Sequence, residues 1–450
     1  MRTTTATADA RRPAHGTAAA ALRNPNFRLL WLGLFASNIG TWMQTLVLPA
    51  YIAARTGSAL WVGLFTFAQL GPLLLLSVPG GVLADRFPRR PWMLVMQAEQ
   101  LVLSLVIAAL VAGHSGLVWL FLVQLLVGIG NALNAPAMQG TMPNLVDPRD
   151  LPGAISLNSV MINGARVIGP VIAALLMTRG VTASQIFVVN AATYLFVIYS
   201  LVRITIPPIP KATDAQGWAN LLTGIRIARR RTVLSRLLLG MTLFSLVCLP
   251  YVGLFPIVVE RNFGLDPDGA TYKWMYATWG LGACLGALAI GTVLAHTDKR
   301  RLIAPFFVGF AVCLTAFTSV TSATPAFPIG FVLGFCYFAL ATSMLTIVQQ
   351  NLRSSERARV ISLWFMAFGG TVGVGNLAFG PVVDEVGTRP VMYVGAGFAL
   401  VLAWWCDVSR RHVTTLADED AALALDERSG DAVEGRGAAG LDEHGVVAGE

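Results

Sequence analysis

Charge is what this sequence has least of. Of its 450 residues only 12% are Asp, Glu, Lys or Arg, 55% are hydrophobic, and the mean hydropathy is +0.65. A water-soluble globule cannot hide that much apolar surface, so a soluble fold is excluded. Catalytic signatures are missing as well. There is no phosphate-binding G-x-x-x-x-G-K-[ST] and no H-E-x-x-H, and the five histidines (His15, His114, His296, His412, His444) are scattered through loops and ends. An enzyme or a self-contained ATP-driven pump is therefore not expected, nor is a metal or a cofactor. Cysteine is sparse: Cys248, Cys284, Cys313, Cys336 and Cys406 all lie in apolar runs at unrelated spacings. That pattern suits small packing residues rather than a disulfide framework or a zinc site.

What the sequence does have is long apolar runs. A membrane-spanning helix needs roughly 20 mainly apolar residues, and runs of that kind start near Leu29, Leu60, Pro91, Leu117, Ala154, Ile186, Leu234, Trp274, Arg301, Pro328, Val360 and Pro390. The expectation is an all-α membrane protein with both ends on one side. The polar, basic stretch before the first run, and that run's length, argue against a cleaved signal peptide. Lys and Arg set the orientation. With a cytoplasmic N-terminus, 26 of the 32 fall in inside segments, and only Arg55, Arg179, Arg261, Lys273 and Arg389 fall outside. Both termini are thus expected in the cytoplasm, and the basic rim is expected to meet anionic lipid rather than nucleic acid. The last 40 or so residues are rich in Gly, Ala and acids and read as disordered.

Shifting the chain by 211 residues lays "GGVLADRFPRRP" (Gly80 to Pro91) on "GTVLAHTDKRRL" (Gly291 to Leu302), and a looser echo sets "GAISL" (153–157) against "RVISL" (359–363). These repeats imply two related halves of six helices. The expected organisation is a disordered tail at 1–25, six-helix halves at 26–203 and 234–409, a cytoplasmic linker at 204–233 and an acidic tail at 410–450. The linker's basic, partly amphipathic "NLLTGIRIARRRTVLSRLL" is expected flat on the membrane face.

Several residues stand out chemically. Gly80 and Gly81 allow close backbone approach between helices. Asp85 can pair with Arg89 or face the positive N-terminus of another helix, and the arginines beside it also serve as orientation anchors. Arg166 is the one cation far from any loop, where a charge costs roughly 2.5–3.5 kcal/mol even on a lenient scale, so it should face a cavity or an acid. Glu99, about 12 Å into the third run at ~1.5 Å per residue, is the matching buried acid. Polar stripes at helical spacing, Asn38, Thr41 and Thr45, then Gln124, Gly128 and Asn131, then Ser343, Thr346 and Gln350, suggest walls of a pathway. Trp42, Phe65, Tyr251, Trp279 and Trp364 offer flat surfaces beside it, or simply pack or anchor.

The six-plus-six layout with "GVLADRFPRR" between the second and third runs resembles the major facilitator superfamily, over residues 26–409. More narrowly, "NPNFRLLWLGLFASNIGTWMQ", "NAPAMQGTMPNLV", "ARVIGP" and "ERARVISL" resemble the branch of enterobactin exporters and macrolide efflux proteins. The resemblance implies the major facilitator fold, twelve helices in two pseudo-symmetric halves. It implies a gating motif at Gly81, Asp85, Arg86, Arg89 and Arg90, with Asp85 bracing the second helix against the eleventh. It also implies an antiporter-like motif at Gly164, Arg166, Gly169 and Pro170, with Ala173 where that pattern usually carries glycine. Many drug/proton antiporters of the superfamily have an acid in the first helix and an arginine in the fourth. Here the first helix has no acid and Gln124 holds the arginine's place, which leaves Glu99, Asp384 or Glu385 as proton carriers.

The resulting expectation is a multi-pass protein of the cell membrane, acting as a monomer. It would export a small amphipathic compound (a drug, siderophore or other natural product) by alternating access, in exchange for protons. Two rivals remain open at this point: an uptake permease for a polar metabolite, and a non-transporting membrane sensor or scaffold.

Overall fold

The computed structural model describes residues 15–206, 217–410 and 413–420. Among these the chain forms twelve helical rods, numbered here as spans one to twelve. The first six are Pro25–Thr56, Ala59–Arg86, Arg89–Ala112, Leu117–Thr141, Leu151–Thr178 and Ala183–Arg203. The seventh is assembled from Thr232–Leu243, Phe244–Cys248, Pro250–Gly253 and Phe255–Phe263. Ala270–Gly291, Arg300–Ser319 and Ala323–Gln350 follow. The eleventh joins Ser354–Phe365, Met366–Gly370 and Thr371–Val386, and Thr388–Trp405 is the last.

Local chemistry sets these boundaries. Asn24 accepts from the Asn26 and Phe27 amides, with Pro25 at the first helical position, and Gly57 closes the same helix at φ 61°. Thr182 and Gln185 form a reciprocal cap at the start of span six. Among the described residues nine helices are long and apolar enough to cross a membrane alone, and a tenth arises from a bent pair that includes the start of span seven. The remaining two are span one, which carries Asn38, Thr41, Gln44 and Thr45, and span twelve, whose 18 residues open on Thr388, Arg389 and Pro390.

The two halves are built alike. Span one packs on span six as seven does on twelve, two on four as eight on ten, and three on four and six as nine on ten and twelve. The main contacts between halves, two with eleven and five with eight, are likewise exchanged by the repeat. Span eight crosses span ten at backbone contact: a Cβ added at Gly282 or Gly286 would overlap the carbonyl oxygen of Phe331 or Phe335. In lipid, where apolar surface gains nothing from leaving water, close approach of this kind is what holds helices together.

The linker helix Gly217–Arg230 turns by 116° into span seven and lies on the start of span eleven, where Gly224 faces the Arg359 carbonyl. The chain ends depart from the loose tails expected. The Gly16 amide and the His15 ring meet the Asp150 carboxylate at 2.9 and 3.1 Å, and Thr17 caps the short helix Ala18–Ala21, which packs on span five. At the other end the Thr232 amide donates to Thr414 Oγ1 (2.9 Å), and the Leu416 amide to Asn351 Oδ1 (3.3 Å). The remainder of both expected tails, 1–14 and 421–450, lies outside the described residues, as does 207–216 of the linker. Both described ends and the linker helix thus sit on one face, called here the terminal face, with the far face opposite.

Candidate functional site

The wall contributed by the first half is polar. Asn190 of span six donates to Gln44 Oε1 of span one (2.6 Å) and to Ser104 Oγ of span three (3.3 Å). Gln44 in turn donates to Gln124 Oε1 of span four (3.3 Å), and Ser104 to the Phe187 carbonyl (3.1 Å). All four side chains are buried, so one chain of amides and a hydroxyl ties four helices together without leaving a lone dipole in hydrocarbon. Around it, Thr45 accepts from Gln69 of span two (3.0 Å), and the Thr41 and Tyr194 hydroxyls meet at 3.4 Å.

The wall contributed by the second half is aromatic. Phe244 packs edge-on against Phe307 and Phe310 at 5.3 and 4.8 Å, Trp279 lies over Tyr337 at 6.1 Å, Tyr337 touches Phe338 at 4.4 Å, and Phe368 stacks with Trp364 at 6.4 Å. Trp279 Nε1 donates to the Tyr251 hydroxyl at 3.3 Å, which satisfies the indole without water.

The two halves meet at Arg166. A Cβ at Gly169 would come within 2.7 Å of the Ile39 carbonyl and of Trp42 Cβ, so spans five and one approach closely enough to bring Trp42 beside the arginine. The guanidinium carbon lies 4.8 Å from the Trp42 ring and 3.9 Å from the Phe338 ring of span ten. Only 6% of Arg166 is exposed. Nη1 donates a long bond to Asn163 Oδ1 (3.4 Å), and Nε has no partner among the described residues.

Glu99, expected as a counterpart, lies elsewhere. It is half-buried on span three against Gly130 of span four, and accepts from Gln100 at 3.1 Å. The structure does not bring it to Arg166.

The far face is sealed between halves. Asp384, at the end of span eleven, accepts from Ser58 Oγ (2.7 Å) and from the amides of Ala59 (2.8 Å) and Leu60 (2.9 Å), the first turn of span two. Arg261 pairs with the same carboxylate at 2.6 Å and donates to the Gly57 and Val383 carbonyls. The buried Tyr272 of span eight reaches the Leu46 carbonyl of span one. The contact of spans two and eleven continues inward to Gly370 against Leu74.

On the terminal face, Arg231, 2% exposed, pairs with Glu356 at 2.7 Å and with Glu419 of the tail, while Arg353 pairs with Asp420. Burial alone would depress the Arg231 guanidinium, but the two carboxylates outweigh it and hold it above its usual range.

The motif residues are distributed as follows. Span two runs through Asp85, whose side chain lies outside the described residues. Gly80 makes the close approach, where an added Cβ would lie 3.0 Å from the Ala132 carbonyl, whereas Gly81 faces open space. Arg86 is exposed, Arg89 lies beside Gly140 of span four, and Arg90 donates to the Val202 carbonyl, where a cation suits the C-terminal end of span six. Gly164 faces Phe35, and Pro170 is buried within span five.

Of the suggested wall residues, Asn38, Thr41, Thr45, Asn131 and Thr346 are half-buried, while Gln124, Ser343, Trp279 and Trp364 are fully packed. Reading stripes helix by helix missed Gln44, Ser104 and Asn190. The signal that was available is that each is a polar side chain deep in an apolar run.

The chain matches the model of the transmembrane secretion effector family over residues 16–430. It is similar to the Staphyloferrin A transporter of Staphylococcus aureus, 22% identical over 358 residues covering 78% of this chain and 87% of that protein. It is also similar to the Enterobactin exporter EntS of Escherichia coli, 27% identical over 282 residues covering 62% of this chain and 66% of that one, just under two thirds of its length. Among solved structures, a mutant of the nucleoside transporter NupG superposes with TM-score 0.70 at 14% identity, covering 86% of this chain and all of that one. A bacterial homolog of the human lysosomal transporter Spinster, inward-facing and unoccupied, gives 0.66 at 15% identity, covering 86% and 96%.

Proposed function

The chain belongs to the transmembrane secretion effector family, and from that membership we propose that it is a secondary active exporter of a small amphipathic compound. The observation that carries the reading is the seam. Two six-helix halves touch chiefly along spans two and eleven and spans five and eight, and Arg166 of one lies against the aromatic cluster of the other where they meet. Such a seam can open on one side at a time, which is what alternating access requires.

The Lys and Arg distribution supports a cytoplasmic terminal face. The far face held shut by Asp384 and Arg261 is then the outside, and this is the state that loads cargo from the cytoplasm. Enterobactin and staphyloferrin A, for which the similar proteins are named, are the first compounds to test.

We further propose that protons entering from outside drive export, with Glu99 as carrier. It is half-buried and, among the described residues, paired with no cation and held by a single side-chain hydrogen bond, so it can take up and release a proton without breaking an ion pair. In inverted membrane vesicles an imposed acid-inside gradient should drive accumulation of cargo, and Glu99→Gln should abolish the dependence on the gradient. Accumulation that ignores the gradient would rule out antiport while leaving export standing. Flux in the opposite direction would make the protein an uptake permease.

A further inference from the structure

Resting on the exporter reading, we infer that the cargo carries an anionic oxygen group on a flat apolar body, and that Arg166 binds the anion between Trp42 and Phe338. Arg166 is the sixteenth residue of the 28-residue span five, about 22 Å from its start at ~1.5 Å per residue, and so near mid-membrane. A guanidinium does not give up its charge there. Among the described residues no carboxylate stands within ion-pair distance of it, and Glu99 is engaged on spans three and four. Two aromatic rings and one long hydrogen bond to Asn163 are what it has.

Ring contacts use the face of a guanidinium, whereas its N–H groups lie in its plane. Nη1 is taken by Asn163, and Nε is buried without an acceptor. The edge formed by Nε and Nη2 is the one that takes a carboxylate side-on through two parallel hydrogen bonds.

The rings on either side belong to different halves, Trp42 to span one and Phe338 to span ten. Beyond Phe338 the surface continues through Tyr337 (4.4 Å) and Trp279 (6.3 Å). A ligand on this edge would therefore be gripped by charge from one body and by ring surface from the other. Cations are disfavoured at such a site, and neutral analogues lack the group that completes it.

The test uses the purified full-length chain in nanodiscs and follows tryptophan fluorescence during titration with 2-naphthoate and with its neutral isostere 2-naphthamide. Naphthoate should bind at least tenfold more tightly. The preference should vanish in Arg166→Gln and survive in part in Arg166→Lys, which keeps the charge but loses the fork.

The wild-type comparison needs no variant, so it decides even if Arg166→Gln does not fold. Naphthoate binding no tighter than naphthamide, or a preference undiminished in a folded Arg166→Gln, overturns the inference. The two readings fail separately: an anion preference in a chain that moves nothing in vesicles would sink the exporter reading alone, and export by a chain with no such preference would sink the anion site alone.

Discussion

Removing the Asp384 carboxylate should unlock the far face. Asp384→Ala deletes three contacts that join the halves, the cap on the first turn of span two through Ser58, Ala59 and Leu60, and a fourth within the second half, the pair with Arg261. Losing a helix cap costs about 1 kcal/mol. The ion pair, whose partners are 28% and 27% exposed, lies within the second half but steadies Arg261 on the Gly57 carbonyl of the first, which adds about 0.5 kcal/mol. Arg261 keeps its bonds to the Gly57 and Val383 carbonyls, so the seal is weakened and not erased. A loss of about 1.5 kcal/mol moves the balance between closed and open far faces roughly tenfold. Spin labels at the exposed far-face positions Arg179 and Thr321, one in each half, report that balance as a distance distribution by double electron–electron resonance. The longer distance should gain population in Asp384→Ala and, to a smaller extent, in Arg261→Gln. A folded Asp384→Ala whose distribution matches wild type would refute the assignment of this cluster as the lock.

Three further outcomes follow from the packing. Gly282→Val forces side-chain atoms into the Phe331 carbonyl and should lower the melting temperature sharply, by overpacking of about 3 kcal/mol; an unchanged melting curve would mean spans eight and ten do not cross at backbone contact. Gln44→Leu strips partners from both Gln124 and Asn190 and should destabilise the first half by about 2 kcal/mol, read as a lower midpoint in thermal unfolding. Arg231→Met leaves Glu356 and Glu419 facing each other and should cost about 3 kcal/mol; it should also expose residues 413–420 to protease, since the tail is held at that point.

The sequence was most legible where one helix suffices to make the argument. The expected span starts, such as Leu117 and Val360, fall within a few residues of helices beginning at Leu117 and Ser354, because apolar length and flanking charge are properties of a single segment. The repeat in "VLA…RR" likewise implied two related halves, and spans two and four do pack as eight and ten do. Contacts between helices were far less legible. Gln44, Ser104 and Asn190 sit on three different spans, and nothing in their spacing says they converge. The glycines at 282 and 286 do carry the small-residue spacing of a close crossing, and that signal went unread. The tail misled for a physical reason: composition reports average solubility, whereas Glu419 and Asp420 dock because Arg231 and Arg353 happen to face them.

The unlike chemistry of the two walls bears on how this protein could change its cargo over evolutionary time. Hydrogen bonds among Gln44, Gln124, Asn190 and Ser104 are directional and mutually dependent, so a mutation there is selected against before any new compound can be tried. Ring against ring tolerates exchange of one large apolar side chain for another at modest cost. Innovation should therefore accumulate on spans seven, eight, ten and eleven. A laboratory selection for transport of a new compound would be best aimed at Tyr251, Trp279, Tyr337, Phe338 and Phe368, with the amide wall left as it is.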